Sequence, residues 1–299
     1  MSDSPARLWI GLALSAGVCA ISASALLVRL AEAPGISTAT ARTMISAALM
    51  LAITLGRGGG ARLMATSRKE LLLCALSGLF LGLHFWAWMT SLSYTTVASS
   101  VLFVTLNPIF LALAAPWVTK DPGSRRLWLG IALAVLGSLV VGWDDLRQGP
   151  STSLYGNGLA LLGSVCASGY LLAGRLARRT VPLDAYATLT NAAACLTLLP
   201  PLLLGGAPFA SLPPKTWGVF LLLAVVPQLI GHNSLVWALR HVSAPLVSVA
   251  ILAEPLGSGV LAWYFLHEAP TPLKLVGAAV LLAGILLASL DPQKKGEAA

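Results

Sequence analysis

The chain has 299 residues, of which 57% are hydrophobic and only 10% are charged, and its formal net charge is +8. Soluble domains carry roughly 25% charged residues, so this composition excludes a water-soluble protein and predicts one embedded in a lipid bilayer. The basic residues lie between apolar runs, which argues against nucleic-acid binding and favours the rule that basic connections stay in the cytoplasm.

Ten apolar runs, each close to the roughly 20 residues that cross a bilayer, follow one another with short connections rich in glycine, proline and charge. They predict an all-α membrane protein with ten transmembrane helices and leave no length for a soluble domain. The predicted spans, numbered 1 to 10 in chain order, cover residues 8–28, 36–55, 70–92, 95–118, 127–143, 154–175, 183–204, 215–239, 242–265 and 273–290.

The sequence pattern repeats after 147 positions without a gap. Pro255 corresponds to Pro108, and Glu268 corresponds to Asp121. The glycines recur as well, in the pairs Gly130 with Gly277 and Gly137 with Gly284. An internal repeat is a strong indication of architecture. It predicts two five-helix repeats, residues 1–148 and residues 149–299, the second of which ends in a short cytoplasmic tail.

The positive charges indicate how the spans are oriented. Fourteen of the 19 lysine and arginine residues fall on one side of the predicted spans, four fall on the other, and Arg42 lies within span 2. This asymmetry predicts that both termini lie in the cytoplasm and that the protein resides in the cell inner membrane. Because five is an odd number, the second repeat must enter the membrane from the opposite face. Transporters use inverted repeats of this kind for alternating access.

Of eleven acidic residues, only Glu254 falls well inside a predicted span, and Asn107 holds the corresponding position in the first repeat. Both precede a proline, and the prolines Pro108, Pro227 and Pro255 are predicted to break their helices and free backbone carbonyls. Charged groups inside the bilayer are costly, so Glu254 and Asn107 are candidate solute ligands near the midplane. The alternative is that both side chains only hold neighbouring helices together.

Ring side chains inside the spans are further candidates for solute binding: His84, Trp88, Phe103, Tyr170 and His232. Rings beside a few hydrogen-bonding groups suit a neutral or zwitterionic organic solute, and ordinary packing is the alternative for each. The guanidinium of Arg42 can snorkel to the surface or meet a carboxylate. A structural or gating ion pair is favoured for Arg42 over direct solute binding.

The sequence contains no GxxxxGK[ST] loop for ATP, no HExxH zinc motif and no GxSxG turn. It therefore predicts no cofactor, no metal site and no catalytic residues. A membrane-embedded enzyme and a non-transporting scaffold remain the alternatives to a transporter.

Several stretches near the C-terminus carry a family resemblance: residues 238–244, Glu254-Pro255, residues 265–268 and the glycines from Gly277 to Gly284. Together with Arg42 and the earlier copy, they resemble the EamA-type branch of the drug/metabolite transporter superfamily over essentially the whole chain. The resemblance implies ten helices in two inverted repeats and export of amino acids or similar metabolites, aromatic amino acids among them. One departure is that the acidic residue after span 4, Asp121, stands beside Lys120.

These observations predict an exporter of aromatic or other bulky neutral amino acids that works by alternating access through a central cavity. If Glu254 is buried without a partner, it can carry a proton and couple export to protons. If it pairs with Arg42 or a histidine, it stays ionised and the protein is a passive facilitator.

Overall fold

The computed structural model describes residues 4–107, 109–111, 113–114, 125–148, 152–238, 250–251 and 253–289, and all regular secondary structure in these ranges is helical. This confirms the predicted all-α class. The α-helices are α1 (Ser4–Ser22), α2 (Ser24–Leu30), α3 (Gly35–Gly56), α4 (Gly60–Met64), α5 (Arg68–Ser91), α6 (Val97–Val104), α7 (Arg125–Gln148), α8 (Thr152–Ala177), α9 (Leu183–Leu204), α10 (Pro214–Leu223), α11 (Asn233–Ala238), α12 (Glu254–Leu266) and α13 (Pro272–Ser289). A π-helical segment, Ala224–His232, joins α10 to α11.

Within the described ranges, seven helical stretches are long and apolar enough to cross a membrane, and they coincide with predicted spans 1, 2, 3, 5, 6, 7 and 8. Their outer surfaces are apolar, since Leu72, Leu139 and Leu196 are 70%, 66% and 67% exposed. Leucine at such exposure is expected where side chains meet lipid rather than water. The protein is therefore a multi-pass membrane protein. The described parts of spans 4, 9 and 10 are the shorter apolar helices α6, α12 and α13, so ten crossings remain a prediction.

Span 4 is not one continuous helix. Helix α6 ends at Val104, and Thr105 and Leu106 form a turn. The side-chain hydroxyl of Thr105 donates to the Val101 carbonyl at 2.9 Å. A proline at position 108 has no N–H to donate to the Val104 carbonyl, which accounts for the end of α6 at that residue. Pro108 itself lies outside the described residues.

Span 9 is also interrupted. The backbone turns at Ala253, whose N–H donates to the Ala250 carbonyl at 3.1 Å, and α12 begins at Glu254 with Pro255 as its next residue. Proline suits the first helical turn because its missing N–H needs no partner there. Glu254 is therefore the first residue of a helix and not a mid-helix residue as predicted. Its carboxylate lies at the N-terminal end of α12, where the helix dipole favours negative charge.

Span 8 contains the predicted break at Pro227. This proline is buried inside the π-helical segment between α10 and α11. A proline removes one i to i−4 hydrogen bond from an α-helix, and a π-helical turn absorbs the change of register, often at functional sites. The break therefore changes the helix type without ending the span.

Helices α7 and α13 pack directly against each other along a glycine seam. A Cβ atom added to Gly137 would lie 2.7 Å from the Gly277 carbonyl oxygen, and one added to Gly284 would lie 2.7 Å from the Gly130 carbonyl oxygen. Gly137, the later glycine of α7, faces Gly277, the earlier glycine of α13, and Gly130 faces Gly284, so the two helices run antiparallel. The same four glycines mark the 147-residue repeat, and small residues at these positions let the backbones approach closely.

The helix ends show which connections share one end of the bundle. Arg29, in the last turn of α2, donates to the Thr95 carbonyl at 2.9 Å, and the Thr95 hydroxyl donates to the Asn157 amide oxygen at 2.9 Å. Asn157 lies near the start of α8. The end of α2 and the start of α8 thus lie at the same end of the bundle, here called the distal end. The opposite end, where α3 finishes, is called the proximal end.

Helix α5 lies between three neighbours, α3, α8 and α9. It starts with a capping box, in which the Glu70 backbone N–H donates to the Ser67 hydroxyl and the Ser67 N–H donates to the Glu70 carboxylate. Gly78 allows α9 to approach so closely that an added Cβ would lie 2.6 Å from the Thr190 carbonyl oxygen. The central position of α5 places its aromatic residues between both halves of the chain.

Candidate functional site

The guanidinium of Arg42, on α3, lies at the centre of a buried polar site. The side chain is 0% exposed. Its Nε and Nη2 donate to the Gln228 side-chain oxygen at 3.2 and 2.8 Å, and its Nη1 donates to the Ser24 hydroxyl at 3.0 Å. The guanidinium carbon lies 4.0 Å from the centre of the Phe85 ring, a cation–π distance. Arg42 therefore points into the protein and does not snorkel to its surface.

Both hydrogen-bonding partners of Arg42 come from places where the helices are irregular. Gln228 belongs to the π-helical segment, and Ser24 begins α2 directly after the turn at Ala23 that separates it from α1. No carboxylate of the described ranges lies within 4 Å of the Arg42 guanidinium, so the gating ion pair favoured by the sequence is not formed among them. The neutral oxygens of an amide and a hydroxyl hold the cation in its place.

A second amide fixes the orientation of Gln228. The Gln228 side-chain nitrogen donates to the Asn191 side-chain oxygen at 3.2 Å, and the Asn191 nitrogen donates to the Ala187 carbonyl at 2.8 Å. Asn191 lies on α9 and is 2% exposed. This chain of donors leaves the Gln228 oxygen facing Arg42, because an amide that gives its nitrogen to one partner must offer its oxygen to the other.

Helix α5 contributes a face of rings next to Arg42. The His84 and Trp88 rings are parallel within 3° at a centroid distance of 6.1 Å, and Phe85 meets the His232 ring edge-on at 5.7 Å. His84 Nδ1 lies 2.9 Å from the Gly163 carbonyl oxygen on α8. A carbonyl only accepts, so Nδ1 carries the hydrogen. The Trp88 Nε1–H is buried and has no hydrogen-bond partner among the described residues.

Three further predicted residues join this group. Arg42 interacts electrostatically with Glu254, Tyr170 and His232. Tyr170 is 6% exposed, whereas Glu254 and His232 are half-buried. Arg42, His84, Phe85, Trp88, Tyr170, His232 and Glu254 form what is here called the Arg42 cluster. The structure thus brings together six of the side chains that the sequence selected, from α3, α5, α8, the π-helical segment and α12.

Phe103 and Asn107 occupy a different part of the bundle. Phe103 is 9% exposed and packs in an apolar cluster with Leu106, Val141 and Leu281. The backbone carbonyl of Asn107 accepts a hydrogen bond from the Ser168 hydroxyl at 3.0 Å. Neither is placed by a contact of the described residues beside the Arg42 cluster, although Asn107 is the repeat counterpart of Glu254. Their role in solute binding stays a prediction.

Four further residues belong to the site: Ser24, Phe85, Asn191 and Gln228. Gln228 left a recognisable signal, because an amide four residues before His232 shares its helical face inside an apolar span. Phe85 directly follows His84 in the ring-rich part of span 3, whereas Ser24 and Asn191 lie among many small polar residues. Only the packing of α2, α3 and α9 assigns Ser24 and Asn191 to the site.

A cavity of about 480 Å³ opens on the proximal side of the cluster. Its polar lining consists of Arg57, Arg62, Asp184 and Asn233. Asn233 directly follows His232, so the cavity lies next to the cluster along the chain. Arg62 and Asp184 form an ion pair at 2.9 Å across it. The cavity therefore opens at the proximal end, beside the residue that follows His232.

Comparisons with known proteins agree on one family. Residues 7–143 and residues 154–290 each match the EamA-like transporter family. A protein of Archaeoglobus fulgidus named as an uncharacterized transporter is 24% identical over 249 residues, 82% of this chain and 84% of that protein. A protein of Streptantibioticus cattleyicolor, named as a probable terminal-alkyne amino-acid exporter, is 27% identical over 263 residues, 85% of this chain and 84% of its own. A solved crystal structure shares the fold with a TM-score of 0.68 at 21% identity, covering 93% of this chain and 96% of that chain.

Proposed function

The chain belongs to the EamA-like transporter family, and we propose that it exports amino acids, bulky neutral and aromatic ones first, across the cell inner membrane by alternating access. Membership in this family makes the protein a transporter and not an enzyme. The relative named as an amino-acid exporter supports the solute class. The observation that carries the proposal is the composition of the Arg42 cluster.

The cluster holds one fixed cation and one carboxylate, Arg42 and Glu254, close enough to interact electrostatically. Its formal charge is therefore balanced. A net charge brought into such an enclosed site would have to lose its hydration without a compensating partner, whereas a zwitterion adds no net charge. The half-buried Glu254 suits the ammonium group of an amino acid, and the rings of α5 suit an apolar side chain. Arg42, at 0% exposed, positions Gln228 and Phe85 and is not in direct contact with the solute in this state.

Alternating access requires two halves that can move against each other. We propose that residues 1–148 and 149–299 are inverted five-helix repeats. The antiparallel contact of the equivalent helices α7 and α13 supports this, as does the meeting of the end of α2 with the start of α8. The breaks at Pro227 and Pro255 provide positions at which the helices can bend. The distribution of basic residues supports cytoplasmic termini, which would place the distal end outside the cell.

The solute is tested by counterflow in proteoliposomes loaded with each of a panel of unlabelled amino acids and supplied with radiolabelled phenylalanine. We expect aromatic and branched amino acids to drive uptake, and lysine and glutamate to fail because of their net charge. The control is protein-free liposomes. Equal uptake with every amino acid, or with none, would contradict the proposed solute class.

Coupling to protons is tested with Glu254→Gln, which removes the proton-binding carboxylate at nearly unchanged volume. We expect an imposed pH gradient to accelerate uptake by the wild-type protein and to leave the rate of the variant unchanged, because an amide cannot bind and release a proton. Flux is measured in vesicles with and without the gradient. A variant that still responds to the gradient would remove Glu254 from the coupling role, and a wild-type protein that does not respond would be a facilitator.

The unpartnered indole N–H of Trp88 gives a further prediction. Buried hydrogen-bond donors normally have a partner. We therefore expect the solute to accept a hydrogen bond from the Trp88 indole N–H during transport. Trp88→Phe should raise the KM by about tenfold, the value of one hydrogen bond to a charged group, because the ring stack on His84 is kept and the donor is lost. Trp86→Phe, on the same helix, is the control and should leave the KM unchanged. Equal KM values for both variants would argue that Trp88 serves only in packing.

A further inference from the structure

A second buried polar cluster lies at the distal end, away from the Arg42 cluster. Its centre is an ion pair between Asp145 on α7 and Lys274 on α13, with 2.7 Å between the carboxylate oxygen and Nζ. The two side chains are only 3% and 6% exposed. Ion pairs so thoroughly buried are favourable only when their other hydrogen-bonding positions are filled.

Three of those positions are filled here. Asp145 accepts hydrogen bonds from the Ser99 hydroxyl at 3.0 Å and from the Asn157 side-chain nitrogen at 2.7 Å, and Lys274 donates to the Thr96 hydroxyl at 3.1 Å. The partners come from α6, from α8 and from the connection that precedes α6. The Asp145–Lys274 pair therefore joins α6, α7, α8, α13 and the connection before α6 at a single point.

A second ion pair lies beside the first. Arg29, at the end of α2, meets Glu268 in the connection between α12 and α13 at 3.0 Å. The other carboxylate oxygen of Glu268 accepts the backbone N–H of Val97, the first residue of α6, at 2.8 Å. A carboxylate at this position is favoured by the dipole of α6. Glu268 thus connects α2, α6 and the α12–α13 connection.

Nearly all of these contacts cross between the two repeats. Arg29, Thr96, Val97 and Asp145 belong to the first repeat, whereas Asn157, Glu268 and Lys274 belong to the second. Two halves that rock about a central site must separate at one end when they close at the other. Opening the distal end would break the contacts between the repeats together, and closing it would form them together.

We infer that the Asp145–Lys274 and Arg29–Glu268 pairs form a two-part latch that holds the distal end closed, and that solute leaves at that end only when both pairs open. This inference rests on the proposed alternating-access function. It assigns the latch residues a gating role, separate from the solute site. The alternative is that the same contacts are purely structural and stay formed throughout the transport cycle.

The latch is tested with two introduced thiols in the full chain in nanodiscs, where an impermeant thiol reagent reaches both ends. Ala160→Cys lies one turn beyond Asn157 on α8 and is 0% exposed, and Thr54→Cys is a 0% exposed position near the proximal end. Labelling of each position is quantified by peptide mass spectrometry, which separates them from the native cysteines. The latch variants are Asp145→Asn and Glu268→Gln. The side chains of Arg29 and Glu268 are 32% and 23% exposed, so Glu268→Gln is expected to disturb folding less than Asp145→Asn.

We expect each latch variant to accelerate labelling at position 160 more than about threefold by shifting the population towards the distally open state, without accelerating labelling at position 54. Asp184→Asn, which breaks the proximal ion pair with Arg62, is the matched control and should not accelerate labelling at position 160. A smaller acceleration in the latch variants, or an equal one at position 54, would overturn the latch, because a loosened fold exposes both ends.

The labelling experiment needs no amino acid, so it is independent of the counterflow panel. Failure of counterflow with every amino acid, together with selective labelling, would reject the proposed solute and keep the latch. Successful counterflow without selective labelling would reject the latch and keep the solute.

Discussion

Arg42→Lys is expected to lower amino-acid counterflow by at least about tenfold and the free energy of unfolding by about 3 kcal/mol, the value of two hydrogen bonds to a charged group. A lysine ammonium is a single point donor and cannot reach both Gln228 and Ser24 as the guanidinium fork does. It also loses the planar contact with Phe85. Flux is measured in proteoliposomes, and stability as the unfolding temperature in detergent.

Arg57→Lys is the matched control for Arg42→Lys. Arg57 directly follows α3 and is exposed at the proximal cavity, so the same change of side chain should leave stability unchanged. Gln228→Ala is expected to reproduce the effect of Arg42→Lys, because it removes two of the three hydrogen bonds of the guanidinium. Wild-type flux and stability in Arg42→Lys would show that the charge alone matters and the fork geometry does not.

The second large effect is expected at the seam between α7 and α13. Gly137→Val should prevent the protein from folding to a monodisperse species, because the added Cβ would lie 2.3 Å from the Leu281 backbone nitrogen. Overpacking a core commonly costs about 1–3 kcal/mol, and the cost is higher here because backbone atoms of a helix cannot rotate away as a side chain can. Size-exclusion chromatography and thermal unfolding in detergent report the result.

Gly137→Ala and Gly158→Ala form a matched pair that isolates the steric term. A Cβ at Gly158, on α8, would meet nothing within 4 Å. Alanine there should be neutral or stabilise the helix by up to about 1 kcal/mol, whereas alanine at Gly137 should destabilise the protein. Equal stability of the two variants would mean that α7 and α13 have room to separate at no cost.

The spans were largely predictable from the sequence because their cause is local. A stretch of about 20 apolar residues is long enough to cross the bilayer on its own, and no knowledge of its neighbours is needed to recognise it. The same holds for the glycines of the 147-residue repeat, whose spacing alone marked Gly130, Gly137, Gly277 and Gly284. That Gly137 packs on Gly277, and Gly130 on Gly284, was visible only in the structure.

The candidate site was predictable in part. A charged residue within an apolar span stands out by the cost of placing it there, and this marked Arg42 and Glu254. The rings of His84, Trp88 and His232 were selected because they suit an organic solute. Phe103 was selected as a ring and Asn107 as the repeat counterpart of Glu254, and the described contacts place neither beside the Arg42 cluster. The type of a residue marks it as unusual in an apolar span but does not identify its partners. It therefore did not separate Phe103 and Asn107 from the residues of the Arg42 cluster.

Composition, span length, repeat period and the positions of helix-breaking prolines were thus determined by the sequence, since each follows from the order of the residues without knowing which of them meet in space. The partners of the charged groups were decided by tertiary structure. Arg42 meets Gln228 across 186 positions and Arg29 meets Glu268 across 239, and contacts over such separations depend on how helices pack and not on local pattern. For the same reason, the neutral partners of Arg42 and the ion pairs at the distal end followed from the packed helices and not from the order of the residues.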